Sequence, residues 1–81
     1  ANVLGAAVTP AMAMDERLHH LMGRIPEAHV HLYGKQERPG RKIGHVNILG
    51  TDVAVVRERA ELAAHWLSHA QWSDEWEVGH V

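Results

Sequence analysis

Cysteine and phenylalanine are both absent from this sequence. Without a thiol the chain holds no disulfide framework, no thiolate nucleophile and no cysteine zinc site, a composition that suits a reducing, cytoplasmic compartment. Long apolar runs are missing as well: none approaches the ~20 residues of a helical membrane span. No charged-then-apolar leader opens the chain, so neither membrane nor export is expected. Basic residues are not in excess. Eight Lys and Arg against ten Asp and Glu leave a net charge of −2, which argues against a general nucleic-acid binder.

What is present is an 81-residue chain with 46% hydrophobic residues, too apolar to stay disordered and short enough to be one domain over 1–81. A chain of this size buries only roughly 60% of the surface its unfolded form exposes, so its core is thin. The sequence opens in Ala1-Asn2-Val3-Leu4-Gly5, already strand-like and without an initiator Met. That beginning reads as a piece of a longer polypeptide.

Residues 1–4 form a short strand stub stopped by Gly5. Thr9-Pro10 has the pattern of a helix start, an N-cap followed by Pro at the first helical position, with Asp15 as the other candidate start. Met14, Leu18, Leu21 and Met22 follow at helical spacing, with Gly23 as a left-handed C-cap and Pro26 as a stop. From Ala28 the period becomes two: Val30 and Leu32 share one face, His29, His31 and Tyr33 the other. A second alternating run spans Lys42 to Leu49, and the Pro-Gly loop between the runs predicts a β-hairpin. Thr51 or Asp52 then caps a helix to about Ala70. Its stripe is Val56, Ala60, Ala63, Leu67 and Ala70, widened by Leu62 and Trp66, with Arg57, Glu58, Glu61 and Ser68 on the wet side. The tail from Gln71 to Val81 carries Trp72, Trp76 and three acids without periodicity. The expected class is a small α+β unit with an uncertainly ordered tail over 71–81.

The hairpin loop carries the chemistry. Lys35, Arg38, Arg41 and Lys42 face one acid, Glu37, a local +3 within a −2 chain. Gly34, Gly40 and Gly44 would let a ligand approach the backbone. Arg supplies a planar fork for phosphate oxygens and Lys a mobile point charge, a combination suited to a single phosphate group. The plain alternative is a solvated loop whose charges deter edge pairing. A nucleic-acid patch comes last, because no aromatics interleave the cations for base stacking.

Other constellations are weaker. His29 with His31, and His65 with His69, each pair two imidazoles, but neither has a cysteine, an acid at a familiar spacing or an HExxH motif beside it. No metal site is therefore expected. His45 stands in a strand near the basic loop, where it could orient a cation or touch a ligand. Thr9 and Thr51 are explained as caps, and neither a GxSxG elbow nor a Walker-type loop is present. No catalytic residue is expected in this chain. Trp66 belongs to the core stripe. Trp72 and Trp76, four apart, form either a docking ridge or a wrap over the same domain.

The run His31-Leu32-Tyr33-Gly34-Lys35, followed by Arg38-Pro39-Gly40-Arg41-Lys42-Ile43-Gly44-His45-Val46, resembles the C-terminal domain of the 5-(carboxyamino)imidazole ribonucleotide synthase family, ATP-grasp ligases of purine biosynthesis. Asn2-Val3-Leu4-Gly5 matches the strand entering that domain. The resemblance is tight over 28–50, fair over 1–5 and 51–67, and absent from 71 onward; Ile43 replaces a frequent Met, a volume-conserving change. It implies a small barrel-like β-structure with a central hairpin and flanking helices, in an enzyme that uses ATP and Mg to carboxylate 5-aminoimidazole ribonucleotide with bicarbonate. ATP and Mg would be held by preceding ATP-grasp domains, so this piece alone is expected to be inactive. The resemblance further implies a homodimer, with Lys35 and Arg41 as ligands of the substrate 5′-phosphate, Lys42 as a close rival, and Tyr33 and His45 in support. Two rival readings stand beside it: a stand-alone binding module using the same loop for a phosphorylated ligand or RNA, and a purely structural dimerisation domain.

Overall fold

In the computed structural model, which describes residues 1–74, the C-terminal of two helices packs against a three-stranded antiparallel sheet and carries the other helix on its flank. The chain runs through β1 (Asn2–Leu4), α1 (Met14–Arg24), β2 (His29–Leu32), β3 (Lys42–Asn47) and α2 (Val53–His69). The predicted hairpin is β2 with β3, in register His31 to His45 and Leu32 to Gly44. The strand order is β1-β3-β2, so β3 is central and β1 returns across the fold to pair with it, Val3 opposite Gly44. Such a sheet has two edges, β1 and β2. The expected α+β class with a central hairpin and two helices is present; the sheet of the described residues is open, with three strands, and does not show the barrel-like closure expected.

Alternation along the strands sorts the side chains as read from the sequence. His29 and His31 are exposed, while Val3 and Val46 are fully buried on strands that pack against α2. The run expected to reach Leu49 stops at Asn47; Ile48 still enters the core, but Leu49 is 84% exposed. Gly44 is buried mid-strand, where a Cβ would stand 2.5 Å from the His31 carbonyl oxygen. Its small size serves the neighbouring strand, not a ligand as expected.

Helix α2 begins where the sequence places it. The Asp52 carboxylate accepts from the amides of Ala54 (3.0 Å) and Val55 (3.2 Å), and Ala70 ends the helix in the left-handed conformation at φ 54°. It packs on β1, β3 and α1 together, so more than one stripe is covered. For that reason Ser68, expected on the wet side, is buried.

Helix α1 follows the second of the two candidate starts to within one residue of Asp15, and departs from expectation at its C-terminal end. It starts at Met14 with Ala13 as cap, not at Thr9-Pro10. The carbonyls of Pro10 and Met12 are turned instead to the Arg17 guanidinium, at 3.4 and 2.8 Å. Gly23 lies inside the helix rather than capping it. The helix runs on because Ile25, fully buried, closes it through its amide to Leu21 O at 2.6 Å. Trp66 lies in the core, and Trp72 stacks on it with centroids 4.4 Å apart and planes 9° from parallel. Arg24 sits 4.4 Å over the Trp72 ring and pairs with Asp74. Trp72 is thus a wrap over its own domain; Trp76 lies outside the described residues. Among these residues no helix is long and apolar enough to cross a membrane.

Candidate functional site

The loop between β2 and β3 is held by backbone. Gly40 N donates to Gly5 O and Gly5 N to Arg41 O, both at 2.8 Å, tying the loop to the end of β1. Gly40 turns there at φ 73°, a conformation that glycine enters without steric cost. Arg41 N closes the turn to Arg38 O at 3.0 Å. Gly5 is required on its own account: a Cβ at that position would meet Arg38 O at 1.8 Å.

Lys35, Arg38 and Lys42 project from this frame as exposed side chains; Arg41 is half-buried and its Nη1 donates to Gln36 O at 3.3 Å. Among the described residues none of the four forms an ion pair. Glu37, the one acid of the loop, does not answer them. Its carboxylate meets Arg17 Nη1 at 3.1 Å, facing inward. Three exposed cations and the half-buried Arg41 therefore have no carboxylate paired to them.

At the base of the loop Tyr33 Oη and His45 Nδ1 share a 2.9 Å hydrogen bond, and Lys42 Nζ lies 5.9 Å from the Tyr33 ring centroid. His31 stacks on His45, 5.2 Å between centroids and 7° from parallel. The structure thus brings Tyr33, Lys42 and His45 together on one patch, with Arg41 and Lys35 along the adjoining loop.

Arg17 was not foreseen. It is 1% exposed, an unusual place for a guanidinium, and besides Glu37 it donates to Leu67 O at 2.9 Å. Its signal was available: it falls three residues after Met14 and four before Leu21, on the apolar stripe of α1. The histidine pairs gather no further ligands. His65 and His69 sit 4.4 Å apart along a groove of ≈ 530 Å³ beside β1, and the described residues form no cluster of three metal-ligating side chains. Burial there, and then the neighbouring His69 charge, hold the His65 imidazole below its ordinary pKa.

Residues 1–59, which include β1, the hairpin and its whole basic loop, match the family described as phosphoribosylaminoimidazole carboxylase C-terminal domain. The chain belongs to that family. It is 71% identical over 77 residues to the N5-carboxyaminoimidazole ribonucleotide synthase of Mycobacterium tuberculosis, covering 95% of this chain and 18% of that protein. Identity to the synthase of Mycobacterium leprae is 61% over 84 residues, covering 94% and 19%. To the phosphoribosylaminoimidazole carboxylase of Saccharomyces cerevisiae it is 47% over 58 residues, covering 72% and 10%. The chain thus spans less than a fifth of the length of these family members. Coverage of 95% takes in most of the segment after Gln71, so the tail, expected to lack counterparts, has them in the mycobacterial protein. No solved structure matches the chain.

Proposed function

We propose that this chain is the C-terminal part of an ATP-dependent ligase that carboxylates 5-aminoimidazole ribonucleotide with bicarbonate in purine biosynthesis, and that its basic loop receives the substrate 5′-phosphate. Lys35 and Arg41 are the phosphate ligands in this reading, Lys42 assists, and Tyr33 and His45 brace Lys42 from behind. The observation carrying it is the inward turn of Glu37, which leaves the four loop cations without a carboxylate partner on a backbone pinned to Gly5. ATP and Mg belong to ATP-grasp domains of the same polypeptide, and the complete enzyme is a cytoplasmic homodimer. The chain itself contributes no catalytic group. Gripping a remote phosphate supplies binding energy that orients the reacting amine elsewhere in the cleft.

The test is Lys35→Ala and Arg41→Ala in the complete ligase. Each removes charge-assisted hydrogen bonds worth about 1.5–3 kcal/mol, so the ribonucleotide KM rises about 10- to 100-fold. Bicarbonate-dependent ATP hydrolysis stays intact. An unchanged KM in both variants would overturn the reading.

A further inference from the structure

The basic loop is anchored at two points, and they differ in kind. Its second half is tied by backbone, through Gly40 and Arg41 to Gly5. Its first half, which carries Lys35, reaches the body of the protein through the Glu37 side chain. The receiving group is Arg17, buried in α1 and itself fixed by carbonyls from three places: Met12 at 2.8 Å, Leu67 near the end of α2 at 2.9 Å, and Pro10 at 3.4 Å. The Arg17 carbonyl in turn accepts from Trp66 Nε1 at 2.7 Å. Carbonyls satisfy the guanidinium donors but leave its charge unanswered, and a buried charge needs a counter-charge. Among the described residues Glu37, with its side chain 18% exposed, is the carboxylate paired with Arg17.

We propose that the Arg17–Glu37 ion pair is a positioning device for phosphate recognition: it holds the Lys35 half of the loop against the mutual repulsion of its cations, so that the phosphate meets an already ordered site. This rests on the phosphate reading above. Arg17 and Glu37 are positioning residues and touch no ligand. Their pairing supplies the ordering of the loop before binding, a cost otherwise charged to affinity. It also withdraws from the loop the one carboxylate that would compete with phosphate for Lys35 and Arg41.

The experiment uses Glu37→Gln and Glu37→Asp in the complete ligase, with Arg41→Ala as reference. Glu37→Gln removes the charge and keeps the shape. Glu37→Asp keeps the charge for Arg17 but shortens the tether by one methylene, which protects the fold if Gln does not. Both variants are expected to speed amide hydrogen exchange in residues 35–38 while α1 and α2 keep their protection. Both raise the ribonucleotide KM, Gln by about tenfold and Asp by less, with kcat at saturation and the KM for ATP unchanged. If Glu37 only neutralises Arg17, Asp restores the wild-type KM and loop exchange in full, and the proposal is overturned. Unchanged KM in both variants, with Arg41→Ala still impaired, overturns it and leaves the phosphate reading standing. An unchanged KM in both Arg41→Ala and Lys35→Ala removes the phosphate reading and this proposal with it.

Discussion

The backbone carbonyl of Arg38 occupies the place where a side chain at residue 5 would begin, 1.8 Å from the ideal Cβ position of Gly5. Because Gly5 also exchanges two 2.8 Å hydrogen bonds with the loop, neither chain can retreat without losing a ladder contact. Gly5→Ala should therefore cost about 1–3 kcal/mol, as overpacked sites do, and displace the 38–41 turn. Denaturant unfolding of the variant measures the loss. A midpoint equal to wild type would show that the loop shifts freely.

The hairpin and α2 were legible because each carries its signal locally: alternation on both sides of Pro39-Gly40, and Asp52 heading a stripe of period 3.6. The β2–β3 pairing needs only a short loop, so the prediction required no knowledge of distant partners. The return of β1 to pair with β3 is a contact between residues about forty apart, decided by the sheet edge available and not by any local pattern. That α1 begins at Met14, beside the Asp15 candidate and not at Thr9-Pro10, has the same origin. Thr9-Pro10 is a sound local cap signal, but the carbonyls of Pro10 and Met12 are claimed by Arg17, whose own burial depends on α2 and Glu37. The loop cations could be named from the sequence; the inward turn of Glu37, which leaves them without a carboxylate partner, could not.

Trp72 sits at 8% exposure, stacked on Trp66 and roofed by Arg24. In a core this thin such a ring covers much of one end. Trp72→Ala is expected to cost about 3–5 kcal/mol, and Trp72→Phe, which keeps a ring on Trp66, distinctly less. Urea midpoints of the two variants decide it. A loss within about 0.5 kcal/mol for Trp72→Ala, the range of an ordinary surface substitution, would mean that the stack contributes nothing.

Acid should weaken the fold in two stages with different origins. His65 is held below its ordinary value of 6.5, first by burial and then by His69 beside it. A base with a depressed folded pKa binds fewer protons folded than unfolded, so stability rises with pH across that interval and is lost as pH falls below 6.5. Glu27 acts lower. Its own backbone amide, and then the Arg59 guanidinium at 2.6 Å, hold its carboxyl below 4.5, so its contribution is present above that value and disappears as it protonates. His65→Gln removes the upper stage only: between pH 7.5 and 5 its urea midpoint should fall less steeply than that of wild type, while the decline below pH 4.5 persists. An identical slope in the upper interval would assign the acid sensitivity to other histidines. A variant that also lost the lower stage would tie His65 to the Glu27–Arg59 pair, which lies outside the groove that His65 lines.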